Sequence, residues 1–363
     1  MFKQFIFGIS GTILTEEEIA LFIKHPPVGF ILFSRNIESK QQILNLTSTL
    51  KNLFSDREVL IFIDQEGGRV TRVKPPIAQA NYPAAKYFAD IYNYDPIESV
   101  KVTYNNYSVL MSELKSLGID SPNSPNCDIL YEYSDNVIGD RSFGSTTNQV
   151  IELAKSAIKA IQEEAGIAWI KHIPGHGRAI VDSHLDLPII DTSEEELCQT
   201  DFKVFQELSK LENIWGMTAH IIYKALDPDL PATLSNKVID YIRTEIGFKG
   251  VLVTDDINMY ALYKKNNIGI KYKILKELIN KIETDDIISN ELAAQYQNYF
   301  LEKIELADRD KLMDKCKQYL SNIKPEFIVE LHKNSNLAFK AGCDIVLHCS
   351  GDIEEMRALL EDN

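Results

Sequence analysis

Val59-Leu-Ile-Phe-Ile-Asp-Gln-Glu-Gly-Gly-Arg-Val-Thr-Arg72 sets five consecutive apolar residues directly against an acid, two glycines and two arginines. An apolar run without alternation belongs to a strand covered on both faces, as in a parallel sheet flanked by helices. Gly250-Val-Leu-Val253 repeats the pattern and is followed by Thr254-Asp-Asp256. Outward from these two, similar runs recur near Phe5–Ser10, Val28–Ser34, Gly118–Leu130, Ala168–His172, Ile214–His220 and Cys343–His348, with helically spaced stretches between them. Eight such units predict an α/β fold, a (β/α)8 TIM barrel. Gly118–Leu130 fits least, because Ser121-Pro-Asn-Ser-Pro-Asn126 holds two prolines that cannot donate to a ladder.

Thr15-Glu-Glu-Glu18 and Thr192-Ser-Glu-Glu-Glu196 open helices with a hydroxyl cap and first-turn acids. From Tyr263 to Lys333 the chain is polar and helical in pattern, with no barrel-like strand until Cys343. The expectation is a single barrel domain, 1–362, carrying a largely helical insertion, 263–331, between its seventh and eighth strands. Leu275, Leu278, Ile279 and Ile282 form a stripe for packing on the barrel or on a companion helix.

The 363 residues are 45 % hydrophobic and 25 % charged, the composition of an ordinary globule rather than a disordered or disulfide-scaffolded chain. A net charge of -15, from 53 Asp+Glu against 38 Lys+Arg, argues against nucleic acid or an anionic membrane surface as partner. Residues 260–333 hold 13 Lys+Arg and 12 Asp+Glu, so the acidity belongs to the barrel. Five scattered cysteines without CxxC spacing read as small hydrophobes in a reducing compartment. The short apolar run before Gly8 lacks the form of a signal peptide, and no run approaches 18 apolar residues, so a cytoplasmic protein is expected.

Polar groups gather where the apolar runs end: Asp64, His172, His220 and Asp255. In a parallel barrel those ends share the face on which active sites are assembled. Lys171-His-Ile-Pro-Gly-His-Gly-Arg-Ala-Ile-Val-Asp-Ser-His184 contains three of the seven histidines. Asp182 and His184 stand two apart, so an extended backbone turns both to one side, where the carboxylate can hold an imidazole serving as general acid and then base. His172, His176 and His184 with Asp182 are also metal-ligand types, although they lack HExxH spacing and Pro174 keeps His172 and His176 off one helix face. Asp64 to Arg72 offers a close-approaching backbone and directional charges, or else a salt-bridged turn. Of Asp255 and Asp256, alternation lets one face the site; Asp255 is the candidate nucleophile and Asp256 the cap. Arg141 can reach the same face from its loop.

These motifs together resemble glycoside hydrolase family 3, and within it the single-domain bacterial β-N-acetylglucosaminidases of peptidoglycan recycling. Lys171-His-Ile-Pro-Gly-His-Gly177 with Asp182-Ser-His184 carries most of the resemblance. Asp64-Gln-Glu-Gly-Gly-Arg-Val70, Val137-Ile-Gly-Asp-Arg-Ser-Phe-Gly144 and Asp227-Pro-Asp-Leu-Pro-Ala-Thr-Leu-Ser235 support it, and the match spans 1–260 and 337–362. The resemblance implies a retaining hydrolase acting on a carbohydrate, without metal or cofactor. It implies Asp255 as nucleophile, His184 as acid/base assisted by Asp182, and Asp64, Arg72, Arg141, Lys171 and His172 as the groups holding N-acetylglucosamine. Phosphorolysis on the same fold and a metal-dependent hydrolase are the rival chemistries. Met217-Thr-Ala-His220, the altered stretch Asp120–Asp128 and the insertion after Tyr260 depart from the family's pattern.

Overall fold

The computed structural model describes residues 4–183, 186–263, 267–284, 286–300 and 309–360. Strands Phe5–Gly8, Gly29–Leu32 and Leu60–Ile63 pair in parallel with one another and with Val346–His348. A second parallel sheet joins Ala168–Ile173, Ile214–Thr218 and Leu252–Val253. Three parallel bridges, Phe62 to Ser121, Asn126 to Lys171 and Val253 to Ile345, close the two sheets into a ring of eight segments, the arrangement of a TIM barrel. The Gly118–Leu130 run enters this ring through its two bridges and forms no continuous strand, because Pro122 and Pro125 remove ladder donors.

Apart from Lys171, His172, Thr218 and His348 toward the strand ends, both faces of the strands are largely apolar, and both are buried. Ile6, Ile31, Phe62, Trp169, Met217, Val253, Ile345 and Leu347 form a cluster drawn from around the ring. The rings of Phe62, Trp169 and Trp215 lie 5.4 to 5.6 Å apart within or against it. The alternate residues Phe5, Phe7, Phe30, Leu32, Ile61 and Ile63 belong to a second, larger core shared with the helices. Helix Glu16–Lys24 starts at Thr15, which exchanges hydrogen bonds with Glu18 in a capping box. Helix Glu194–Gln199 is capped by Ser193.

Between Leu252–Val253 and Val346–His348 lie helices Ile268–Glu283, Asn290–Phe300 and Arg309–Ala341. Leu275 and Leu278 are buried against Leu292, Tyr296, Leu312 and Cys316, with Ile279 and Ile282 partly buried beside them. This is a companion-helix core of its own. The long helix runs through residue 331 without interruption, and its Phe327, Leu331 and Ala338 already belong to the barrel core. Cys127, Cys316 and Cys343 are buried, Cys198 and Cys349 partly so, and all five are free. No helix among the described residues is long and apolar enough to cross a membrane.

The layering predicts unequal costs for two truncations. Phe62→Ala opens the barrel interior and is expected to cost about 3–5 kcal/mol. Thr15→Ala removes one cap and is expected to cost about 1 kcal/mol. Urea unfolding of both variants checks this, and equal small losses would contradict the packed interior.

Candidate active site

The ring opens into a cavity of about 340 Å³ whose lining includes Asp64, Arg72, Arg141, Lys171, His172, Asp182 and Asp255. Seven of the eight residues proposed from the sequence therefore share one space, and the eighth, His184, lies outside the described residues. Glu66, Arg69 and Asp256 add further charge, while Ile31, Phe33, Met217, Met259 and Leu347 supply apolar wall. His220 is not part of the lining. It is buried, with Nδ1 at 2.7 Å from the Thr233 hydroxyl and Nε2 at 3.0 Å from the Asp256 carbonyl. Its polar head therefore secures the turn after Asp255, and strand-end position alone is no guide to its role.

The glycines after Asp64 make a tight hairpin, Gln65–Gly67 against Val70–Thr71. Gly67 has φ +99, and a Cβ there would stand 2.2 Å from the Pro83 carbonyl oxygen, so glycine alone fits. The buried Gln65 amide accepts from the Arg72 and Val73 N–H groups at 2.9 and 3.0 Å and donates to the Val73 carbonyl at 2.8 Å. The hairpin is thereby locked with Asp64, Glu66 and Arg72 projecting into the cavity.

Glu66 organises the charges. Arg141 donates to it through Nε and Nη2 at 2.8 and 2.7 Å, and Lys171 Nζ lies 2.6 Å away. Burial alone would raise the Glu66 carboxyl, but the Arg141 and Lys171 charges hold it well below the usual range. The Arg141 guanidinium is held above its ordinary value by the same contact, against the effect of burial. Asp64 meets Arg72 at 3.2 Å and Lys171 at 3.8 Å, so the salt-bridged turn and the cavity wall are one structure.

Lys171 and His172 are consecutive, yet both line the cavity, because the ladder register shifts between Lys171 and Ile173. His172 Nδ1 lies 2.7 Å from Asp128 Oδ2, and its Nε2 stands 4.0 Å from Asp255 Oδ2. Asp255 Oδ1 accepts the Asp256 N–H at 2.8 Å. Asp256 accepts the N–H groups of Asn258 and Cys349, both at 3.1 Å, which is the capping role expected of it. Burial raises its carboxyl. Both acids nevertheless line the cavity, contrary to the expected alternation, because the ladder stops at Val253 and strand geometry does not extend to them.

His176 is buried, its Nε2 3.1 Å from the Ser183 hydroxyl, and burial together with neighbouring His172 pushes its imidazole down to about 4. Among the described residues no three His, Cys, Asp or Glu side chains converge as metal ligands. Glu66 and Asp128 were not singled out from the sequence. Glu66 had a signal, since it stands two residues from Asp64 in a locally extended stretch. Asp128 had none, being 44 residues from the histidine it meets. The assembled cavity combines the Asp255 carboxylate with fixed cations and apolar walls, which suits a hydroxyl-rich ring with a reactive carbon.

Residues 9–273 match the glycosyl hydrolase family 3 N-terminal domain. The chain belongs to that family and is a glycoside hydrolase. The β-hexosaminidase of Alkalilimnicola ehrlichii is 38 % identical over 256 residues, 70 % of this chain and 72 % of that protein. The β-hexosaminidase of Nitrosomonas eutropha is 36 % identical over 255 residues, 70 % and 72 % of the two chains. The crystal structure of NagZ from Neisseria gonorrhoeae in complex with N-trifluoroacetyl-D-glucosamine superposes with a TM-score of 0.74 at 26 % identity, covering 100 % of this chain and 87 % of that one.

The Glu66 cluster carries a pH signature. A carboxyl depressed in the folded state stabilises above the ordinary glutamate range and loses that contribution as pH falls. At neutral pH, Glu66→Gln removes the nearest countercharge of two buried cations and is expected to cost about 3–5 kcal/mol. The gap from wild type should narrow between about pH 5 and pH 2. Denaturant titrations across that range check it, and a pH-independent gap would contradict the ionised clamp.

Proposed function

We propose that this chain is a retaining β-N-acetylglucosaminidase that removes non-reducing-end β-linked N-acetylglucosamine from peptidoglycan-derived muropeptides, acting in the cytoplasm during cell-wall recycling. The observation that carries the reading is the common cavity of Asp255, Asp182, Asp64, Arg72, Arg141, Lys171 and His172. The β-hexosaminidase relatives and the neighbour crystallised with N-trifluoroacetyl-D-glucosamine support the choice of sugar. In this account Asp64, Arg72, Arg141, Lys171 and His172 hold the sugar. Glu66 balances Arg141 and Lys171, so that they donate hydrogen bonds without leaving a bare positive pocket.

In the first step an Asp255 oxygen bonds to the anomeric carbon as the glycosidic bond breaks, and His184 gives its proton to the departing oxygen. Asp182 holds the His184 imidazole for that transfer. In the second step His184 takes a proton from water, the water oxygen bonds to the anomeric carbon, and Asp255 leaves with configuration retained. A histidine thus does the work usually given to a second carboxylate. The cluster of Leu275, Leu278, Leu292, Tyr296 and Leu312, with Tyr272 and Phe327 packed into the barrel core, supports one barrel domain, 1–362, that carries 263–331 as an insertion.

Turnover of p-nitrophenyl N-acetyl-β-D-glucosaminide tests the reading. Asp255→Ala is expected to lower kcat by about 1,000-fold or more with an unchanged melting temperature. Retained turnover would overturn the nucleophile assignment. Wild-type enzyme should release free N-acetylglucosamine with or without phosphate and with or without chelator. Release of sugar 1-phosphate, or loss of activity on chelation with recovery on adding zinc, would contradict the metal-free hydrolytic mechanism.

A further inference from the structure

Asp128 lies just past the point where Asn126 bridges to Lys171 and ties the proline-rich fourth segment into the ring. Its side chain is 0 % exposed and takes no part in lining the cavity. Oδ2 lies 2.7 Å from His172 Nδ1 and accepts from Asn126 Nδ2 at 3.1 Å. Oδ1 accepts the backbone N–H of His176 at 2.7 Å and that of His172 at 3.2 Å. Three N–H donors and the His172 ring nitrogen occupy the roughly four acceptor directions of an ionised carboxylate. Burial alone would raise this carboxyl, but His172 and His176 pull it below its ordinary value.

An ionised carboxylate only accepts, so the proton in the Asp128 contact belongs to His172 Nδ1. That leaves Nε2 as the nitrogen facing Asp255, 4.0 Å from its Oδ2. The other neighbour, the His176 ring, packs edge-on at 5.4 Å and limits rotation of the imidazole. We propose that Asp128 is a positioning residue of this glycosidase, fixing the tautomer and ring plane of His172 so that Nε2 meets a sugar hydroxyl beside the nucleophile. The role rests on the reading of His172 as a sugar-holding group. Asp128 reaches the sugar only through His172 and touches no substrate itself.

The test is a double-mutant cycle with Asp128→Asn, His172→Gln and both together. Its readouts are kcat and KM on the chromogenic substrate and N-acetylglucosamine binding by titration calorimetry. Asp128→Asn is expected to weaken N-acetylglucosamine binding and lower kcat/KM by about 10-fold or more, yet to change kcat/KM by no more than about twofold in the His172→Gln background. An equal loss in both backgrounds would overturn the proposal, because Asp128 would then act by bracing the His176 turn. Unchanged sugar binding in His172→Gln would instead overturn the underlying reading of His172, whatever Asp128→Asn does in wild type. If Asp128→Asn does not fold, wild-type enzyme labelled with ¹⁵N-histidine decides the matter. The imidazole signal lost in His172→Gln should carry its proton on Nδ1, and a proton on Nε2 alone would overturn the proposal.

Discussion

Glu66 holds together what the barrel brings near. Its carboxylate joins the hairpin after Leu60–Ile63 to Arg141, 75 residues on, and to Lys171 in the strand Ala168–Ile173. All three groups are nearly excluded from water, with side chains 5 %, 11 % and 3 % exposed. Breaking such a cluster by removing one partner leaves a buried charge without compensation, a cost of several kcal/mol. The cavity-lining cations are thus held by electrostatics as much as by strand geometry, and Asp64 extends the same network to Arg72.

The same logic recurs around Asp255, the proposed nucleophile, with different groups. Asp255 stands past the end of a two-residue strand, where no ladder holds it. Its orientation depends on the Asp256 N–H, on the Asp256 carboxylate that binds the Asn258 and Cys349 N–H groups, and on His220 from beneath the turn. A turn fixed by backbone donors and buried acceptors can present a carboxylate at a defined angle without neutralising it. Asp255 Oδ1 accepts the Asp256 N–H, and its Oδ2 stands 4.0 Å from His172 Nε2.

Much of this was legible in the sequence, for reasons that differ by residue. Val59–Ile63 and Gly250–Val253 declared buried parallel strands because both of their faces are apolar, and both faces do pack. The residues ending those runs could be read as a site because a barrel puts all strand ends on one face. His220 was misleading, since a strand-end histidine looks the same whether it meets a ligand or a turn. Asp256 was half legible: its capping role followed from local pattern, but its place in the cavity depends on where the ladder stops. Asp128 was beyond local reading, because only the irregular fourth segment, itself obscured by Pro122 and Pro125, carries it to His172.

The account stands on Asp255 forming a covalent bond to the sugar. Incubation with a fluorinated N-acetylglucosaminyl fluoride that slows breakdown of the glycosyl-enzyme, followed by peptide mass spectrometry, reads that bond directly. The predicted result is one sugar equivalent on the peptide containing Thr254-Asp-Asp256, localised to Asp255. A label on Asp182, Asp64 or Asp256, or turnover of the reagent with inversion and no adduct, would contradict it.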